Sequence, residues 1–451
     1  MNGILGWVPT PTIPKRLPAV AQDRMFRLSG CWCDGTFDYV VAFEGRLDAR
    51  RLRRAVRLAM DAEPVFGCRY VPGKKPYWER RDDLDDLPLC EVVETTEPER
   101  ELERFAARLS DATRDPLIQA CIIRAASDTL CLKFNHTAVD GSGAKELLYL
   151  IARIYRALEN PDYRVTPNLG SRGSRHFLRR IGFQRCLRAL SFRPGKRVDS
   201  LWRFPAQNLP ESGSLRFARR KISPAEFARL RDYAGSLGSS WNDVLLAAFF
   251  RALWQFVDFP PDVPQPVYVP MDLRLFLARG KTPAIGNFVA MLYPAVARVS
   301  GEEFADTVRR VKQSLLTLAQ QKEYAIFFQI LLGLSHHLLL EKMARRGEML
   351  ARKCREAGVT SAHFSNNHTI VASKVDFGIP ISDVDQFTPA GVPPALFMGA
   401  LFFRDSLRFS ITYFYPAVKT EDVERFFDTF LEELSATAER PALATAAQSA
   451  G

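Results

Sequence analysis

The 451-residue sequence contains no apolar run long enough to cross a membrane as a helix. The longest candidate, residues 324–340, is interrupted by Gln329 and by the polar residues 335–337. A buried or groove-lining helix therefore explains this stretch better than a membrane anchor does. Residues 1–20 lack the basic-then-apolar pattern of a signal peptide, and their prolines predict an extended lead-in.

Cysteine patterns that hold metals or exchange disulfides are also absent. The eight cysteines are scattered, Cys31 and Cys33 form the only close pair, and no Cys-x-x-Cys occurs. This spacing argues against a zinc site and against a thioredoxin motif. It fits free thiols in a reducing cytosol, so we predict a cytoplasmic protein without a metal site.

Three catalytic signatures are missing or incomplete. No Gly-x-Ser-x-Gly elbow occurs, which argues against a carboxylesterase. Residues 71–76 lack the Gly-Lys-Ser/Thr order of a phosphate loop and predict a hairpin turn instead. Residues 336–341 begin with His-His but end in Glu without a following Gly, inside a helical pattern. Helical core packing is the better account of that segment.

The length and the 47% hydrophobic content predict two lobes with substantial cores. We assign residues 1–165 to a first lobe, 166–214 to a basic crossover, 215–435 to a second lobe and 436–451 to a disordered tail. Periodicity predicts strands at residues 38–43, 117–124, 130–134, 215–222, 267–271, 287–299, 397–403 and 407–413, and helices at residues 49–62, 144–155, 223–238, 241–257, 302–322, 324–356 and 420–434.

Much of the formal charge of +11 is concentrated in the crossover, where residues 172–197 interleave arginines with apolar side chains. One interpretation is a solvated connection between the lobes. The sharper interpretation is an amphipathic segment that meets anionic lipid at the membrane periphery or an acidic carrier protein. We expect no nucleic-acid partner, because no recognition fold accompanies the charge.

The most informative stretch is residues 129–141, TLCLKFNHTAVDG. An apolar strand ends in His136, and a tight loop carries Asp140 into a helix that begins near Gly141. Histidine titrates near neutrality, so a fixed neutral imidazole can remove a proton from an attacking hydroxyl or amine. On spacing alone, a loop histidine beside a helix-capping aspartate remains an open alternative.

The NHTAVDG segment resembles the His-His-x-x-x-Asp-Gly signature of the chloramphenicol-acetyltransferase-like acyltransferases. These include condensation domains of nonribosomal peptide synthetases, wax ester synthases, alcohol acetyltransferases and the plant BAHD enzymes. The second histidine of the signature is the catalytic one, and it corresponds to His136. The first is replaced here by Asn135.

Other segments carry the same resemblance in the same order along the chain. They are residues 47–56 with 63–66, residues 241–249, residues 269–274 (VPMDLR), residues 286–288 (GNF) and residues 362–366. Together they cover about residues 30–435. The resemblance implies an α/β fold with two similar lobes, each a mixed β-sheet with flanking helices, and an active-site tunnel between them.

The resemblance also implies the reaction. We expect acyl transfer from a thioester to a hydroxyl or amine acceptor, with His136 as general base. The co-substrate would be acyl-coenzyme A or an acyl-phosphopantetheine on a carrier protein, with no bound cofactor and no metal. The alternative is an inactive condensation-like module that recruits a carrier protein or another partner. The expected protein is a monomer.

Site residues follow from the same motifs. Asp140, Gly141, Asp272 and Arg274 are expected to support the site, with Asp140 paired to Arg274 and pointing away from the reacting atoms. Contacts to substrate or oxyanion are expected from Asn135, Asn287, Ser365 and Asn366. A lipophilic substrate is favoured by aromatic residues on segments near the lobe interface, namely Phe327, Phe328, Phe397, Phe402 and Phe403.

Overall fold

A computed structural model describes residues 12–28, 33–173, 202–206, 214–256, 262–276, 283–320, 337–359, 362–392 and 395–435. The helices are α1 (Ala21–Leu28), α2 (Ala49–Ala62), α3 (Pro98–Ala106), α4 (Gly141–Ala157), α5 (Pro224–Ser236), α6 (Trp241–Trp254), α7 (Phe304–Gln320), α8 (His337–Glu356) and α9 (Thr420–Ser435). The strands are β1 (Arg16–Pro18), β2 (Thr36–Phe43), β3 (Cys68–Val71), β4 (Tyr77–Arg80), β5 (Cys90–Glu94), β6 (Ile118–Arg124), β7 (Asp128–Asn135), β8 (Ser214–Ile222), β9 (Gln265–Pro266), β10 (Val269–Asp272), β11 (Val289–Leu292), β12 (Ala295–Val296), β13 (Ala362–Thr369), β14 (Ile381–Phe387), β15 (Leu396–Phe403) and β16 (Ser406–Tyr415).

The first lobe is built on a five-stranded sheet of order β14-β2-β7-β6-β5. Its strands pair antiparallel except β5 with β6, which makes the sheet mixed. Side chains alternate along β2, so Tyr39 and Val41 join the core with α2 and α4, whereas Val40 packs with Phe105 of α3. Helices therefore cover both faces of the sheet, and the carboxyl end of β7 presents the motif loop.

The second lobe is built on a four-stranded sheet of order β13-β15-β16-β8, in which β13 and β15 are parallel. Its core contains residues of α5, α6 and α9 packed against the sheet. Ser223 and Ser240 close capping boxes at the first residues of α5 and α6, which fixes where these two helices begin. The mixed two-lobe α/β architecture expected from the sequence is confirmed.

The two lobes share elements in a way that the sequence analysis missed. Strand β14 lies between the second-lobe strands β13 and β15 in sequence but pairs antiparallel with β2 of the first sheet. Strand β15 serves both cores, because Leu401 and Phe403 pack in the first and Met398 and Ala400 in the second. This exchange joins the lobes through buried surface as well as through the chain.

Most predicted elements agree with the structure to within a few residues, and α2 coincides with its predicted range. Residues 71–76 connect β3 and β4 as the predicted hairpin. The wide strand predicted at residues 287–299 is instead two short strands, β11 and β12. Strand β1 lies within the proline-rich residues 1–20, helix α1 begins directly after them, and neither was predicted.

Several predictions fall on other parts of the chain. Residues 174–197 of the basic segment, residues 324–336 and the tail 436–451 lie outside the described residues. Within the described part, no helix combines the length and apolarity needed to span a membrane. The second His-His segment enters helix α8 at His337, in agreement with its helical interpretation.

Candidate active site

The motif loop runs from the end of β7 to the first residue of α4. The His136 amide continues the pairing of β7 by donating to the Gly35 carbonyl at 2.9 Å. The side-chain nitrogen Nδ2 of Asn135 donates to the Ser110 carbonyl at 2.9 Å, and its side-chain oxygen accepts from the Thr137 backbone amide at 3.0 Å. Both polar atoms of the Asn135 side-chain amide therefore form hydrogen bonds within the protein. In this structure Asn135 holds the shape of the loop, whereas the sequence predicted a contact with substrate.

Asp140 closes the loop and begins helix α4. As N-cap, its Oδ1 accepts from the Gly143 amide at 2.7 Å. Its Oδ2 accepts from the Phe288 amide at 2.5 Å. Because Phe288 belongs to the second lobe, a single carboxylate fastens the helix start to the opposite lobe.

Arg274 completes this connection and confirms the predicted ion pair. Its Nη1 lies 3.0 Å from Asp140 Oδ1 and 3.1 Å from Oδ2, and 3.1 Å from Asp272 Oδ1. Its Nη2 donates to the Gly286 carbonyl at 2.7 Å. One nitrogen bridges both carboxylates and the other holds the backbone, so the contact is not the parallel two-nitrogen fork.

Small residues make this arrangement possible. A Cβ atom on Gly143 would lie 2.9 Å from both Arg274 Nη2 and the Gly286 carbonyl oxygen, closer than side chains tolerate. Gly141 contributes through its carbonyl, which accepts from the Tyr39 hydroxyl at 3.0 Å. The Gly-x-Gly at the start of α4 therefore lets the second lobe approach the motif loop closely.

Asn287 is the second residue from the opposite lobe that holds the loop. Its amide nitrogen donates to the carbonyls of His136 at 3.1 Å and Thr137 at 3.0 Å, and the side chain is fully buried. Both N–H bonds are used, so none remains to bind an oxyanion. In this structure the Asn287 side chain therefore holds the motif loop, whereas the sequence predicted a contact to an oxyanion.

The His136 imidazole is enclosed by aromatic rings. Phe26 stacks on it with ring centroids 4.2 Å apart at 16°, and Phe37 meets it edge-on at 5.1 Å. Burial lowers the pKa of His136 below its ordinary value, while Asp140, Asn287 and nearby carbonyl groups act in the opposite direction. The net direction is downward, so the ring is neutral at pH 7.

The remaining predicted contacts lie on the second sheet. Ser365 is buried on β13 opposite Gly399 of β15. Asn366 donates to the Asn242 side chain at 2.9 Å, which ties β13 to helix α6. Their role toward substrate stays a prediction.

Two of the five aromatic residues used to favour a lipophilic substrate belong to the hydrophobic cores. Phe403 is fully buried in the first core, and Phe402 packs against Phe227 of the second at 4.8 Å. Phe397 stacks on His363. Phe327 and Phe328 lie outside the described residues. Core packing therefore accounts for Phe402 and Phe403, and the substrate preference loses their support.

Arg172 also differs from expectation. It was placed in the basic segment offered to an anionic partner, but it is only 6% exposed and forms an ion pair with Asp23 at 2.8 Å. Its guanidinium also donates to the Ala138 carbonyl in the motif loop. The sequence analysis missed this link and the stacking of Phe26. Asp23 and Phe26 lie three residues apart on a short amphipathic stretch after the prolines, and this pattern could have indicated the helix.

Comparison with known proteins supports the fold. No protein-family model matches the chain. Uncharacterized proteins from two strains of Mycobacterium tuberculosis are 30% identical over 265 residues, which is 55% of this chain and 59% of each relative. The match thus spans less than two thirds of those relatives.

Solved structures match over nearly the whole chain. The first condensation domain of the CDA synthetase superimposes with a TM-score of 0.68 at 19% identity, over 96% of this chain and 98% of that domain. Polyketide synthase associated protein 5 from Mycobacterium tuberculosis gives 0.66 at 15% identity, over 95% and 100%. Trichothecene 15-O-acetyltransferase from Fusarium sporotrichioides gives 0.67 at 13% identity, over 94% and 95%. The chain therefore has the two-lobe fold shared by condensation domains and this acetyltransferase, as the sequence resemblance predicts.

Proposed function

We propose that this protein is an acyltransferase that moves an acyl group from a thioester to a hydroxyl or amine acceptor, with His136 as general base. The observation that carries the proposal is a neutral, enclosed imidazole on a loop fixed from the opposite lobe. Asn287 holds the loop carbonyls, and the Asp140–Arg274 pair holds the start of helix α4. Such preorganisation is what proton transfer at a fixed distance requires.

The proposed reaction needs Nε2 of His136 as the base. Nδ1 is buried and makes no hydrogen bond within the described part of the protein, while the backbone groups of His136 and Val139 favour the charged ring. Because carbonyl oxygens accept hydrogen bonds, we assign the proton of the neutral ring to Nδ1 as part of the proposal, which leaves the lone pair of Nε2 for the acceptor.

The reaction then needs two proton transfers and no covalent enzyme intermediate. Nε2 takes the proton of the acceptor hydroxyl or amine as its oxygen or nitrogen bonds to the thioester carbonyl carbon. The carbon–sulfur bond breaks, and the leaving thiolate takes that proton back from the imidazolium. The products are an ester or amide and a free thiol.

Asp140 supports this chemistry without joining it. Its oxygens are engaged by the Gly143 and Phe288 amides and by Arg274, all directed at the frame of the loop. A carboxylate held by these donors stabilises the loop. Its charge still favours the imidazolium, since it raises the pKa of His136 against the effect of burial.

The donor is a thioester of coenzyme A or of carrier-protein phosphopantetheine. Support for a carrier comes from the structural relatives, which include a condensation domain of a synthetase and a polyketide synthase associated protein. The formal charge of +11 favours either donor, because both carry phosphates and carrier proteins are acidic.

The second candidate function is a binding module that recruits a carrier without catalysis. It is favoured by Asn135, which replaces the first motif histidine. Asn135 is nevertheless well placed, because its amide fixes the loop beside His136. The substitution thus preserves the position of the catalytic residue, and we favour the enzyme.

A thioester panel separates the two functions. The full chain is mixed with acyl-coenzyme A donors of increasing length, or an acylated carrier, and with alcohol and amine acceptors. Thiol release is followed by colour and the product by mass spectrometry. An acyltransferase gives thiol and acylated acceptor in equal amounts. Donor binding by calorimetry, with no thiol and no product across the panel, would establish the binding module instead.

A further inference from the structure

Helix α1 lies against the motif loop and covers the candidate base. The Phe26 ring is stacked on the His136 imidazole with centroids 4.2 Å apart, and the phenylalanine itself is only partly buried. Phe37 of β2 supports the imidazole edge-on from another side. One face of the ring is thus covered by a residue from outside the motif and its strand.

The helix is anchored by a buried aspartate. Asp23 is fully buried, and its Oδ2 accepts from Trp78 Nε1 at 2.8 Å, from Arg172 Nη1 at 2.8 Å and from the Val20 amide at 3.1 Å. Asp23 and Phe26 are three residues apart on α1, so fixing the first limits the movement of the second.

Arg172 carries the anchor to both sides of the site. Besides Asp23, it donates to the Ala138 carbonyl, two residues after His136. Its Nε donates to the Ile285 carbonyl at 3.0 Å, two residues before Asn287. One guanidinium therefore contacts α1, the motif loop and the second-lobe segment that holds the loop.

We propose that Phe26 is a positioning residue for His136, and that the Asp23–Arg172 ion pair is the clamp that holds Phe26 in place. The stacked ring fixes the imidazole plane and keeps water from one face of it. This inference rests on the proposed acyl transfer, in which His136 is the base. The control of the His136 ring by α1 does not depend on that reaction.

Charged groups on the neighbouring elements also influence the pKa of His136. The motif loop contributes Asp140, the second lobe contributes Arg274 behind it, and α1 and the crossover contribute the Asp23–Arg172 pair. Arg274 also binds Asp272, and none of these charged groups is changed when Phe26 is replaced, so loss of the Phe26 ring acts on His136 mainly by admitting water. Hydration favours the imidazolium and raises its pKa.

The direct test is a nuclear magnetic resonance titration of the full chain containing ¹³Cε1-labelled histidine, with His136→Ala to assign the signal. Phe26→Ala should raise the His136 pKa toward the ordinary value of 6.5, and Phe26→Trp should keep it low. Asp23→Asn should shift it in the same direction by less. The matched control is Phe397→Ala, which removes the ring stacked on His363 and should move only that histidine.

An unchanged His136 pKa in a folded Phe26→Ala protein would overturn the proposal for Phe26. An unchanged pKa in Asp23→Asn would overturn the clamp. Neither result needs a substrate, so both differ from a failure of the proposed function, which is an absence of acyl transfer in the wild type.

Kinetics gives the second readout once a donor and acceptor are known. Phe26→Ala should lower kcat about tenfold with little change in KM, and it should move the acid limb of the rate profile to higher pH. Phe26→Trp should restore most of kcat. A rise in KM at unchanged kcat and unchanged limb would instead make Phe26 a substrate contact.

Discussion

Among the residues that the structure describes, two histidines are stacked on aromatic rings, one in each lobe. His136 lies on a loop of the first lobe against Phe26, whereas His363 lies on β13 of the second lobe between Tyr268 and Phe397. Burial lowers the pKa of both, and for His363 it does so to about 4. A low pKa and an aromatic stack therefore do not by themselves distinguish a base from a packed side chain.

The two histidines differ in the groups that surround each ring and in how these groups affect its pKa. Burial is the cause that sets the pKa of His363. Around His136, Asp140, Asn287 and backbone carbonyls oppose the effect of burial, so the ring can accept a proton during a reaction and return it. A general base works best with a pKa near the working pH, and the groups around His136 oppose part of the lowering that burial causes.

The largest expected effect separates the two histidines by activity. His136→Ala should lower kcat by about 10²- to 10⁴-fold, the usual contribution of a positioned general base. His363→Ala should keep kcat within about threefold, since it serves packing. Both are measured as thiol release at saturating donor and acceptor. Equal losses of kcat in the two variants would show that His136 has no catalytic role beyond that of any stacked histidine.

Next in size is the effect of breaking the frame beneath His136. Asp140→Ala should lower the free energy of unfolding by about 3 kcal/mol, because it removes one of the two carboxylates that bind Arg274, leaves the buried Phe288 amide without its acceptor and uncaps α4. His136→Ala should change it by less than about 1 kcal/mol. Chemical denaturation of both variants checks this.

The control for that prediction is Asp140→Asn, which can keep the cap but loses the charge. Its stability should lie between wild type and Asp140→Ala. A well-folded, fully stable Asp140→Ala protein that has lost activity would instead place Asp140 in the chemistry, as an orienting carboxylate on His136.

A smaller effect compares two asparagines of the second lobe, Asn287 and Asn366. Asn287→Ala leaves the buried carbonyls of His136 and Thr137 without their donor, at a cost of about 1 to 3 kcal/mol, and should reduce kcat about tenfold. Asn366→Ala removes the bond to Asn242 and should leave kcat nearly unchanged. Steady-state kinetics of both proteins tests this, and a larger loss in Asn366→Ala would move substrate contacts to β13.

Much of this frame could be predicted from local sequence. The loop of residues 136–140, helix α4 after Gly141 and the Asp140–Arg274 pair follow from spacing and from the family resemblance, because each element is short-range or signalled by its own motif. The reach of Asn287 to the loop carbonyls could not be predicted. A GNF segment does not reveal whether the amide faces a substrate or the backbone.

Long-range pairing explains what was missed in the fold. Strand β14 has the sequence ISDVDQF, whose polar residues resemble a loop, and only its pairing with β2 reveals it as a strand. Helix α1 has eight residues, and its position depends on Asp23 meeting Arg172 across 149 residues of sequence. Contacts between residues so far apart in the chain produce no local sequence pattern from which they could be predicted.

The central claim is that His136 is a neutral base held ready by this frame, and pH dependence tests it most directly. Because the folded pKa of His136 is below 6.5, the ring is unprotonated at pH 7 and becomes protonated only as the pH falls through that lower value. The rate constant kcat/KM, measured from pH 4.5 to 8.5, should therefore fall on the acid side with a midpoint below 6.5 that equals the His136 pKa found by nuclear magnetic resonance in the free protein. An acid limb that does not coincide with the His136 titration, or a rate independent of pH across it, would contradict the account.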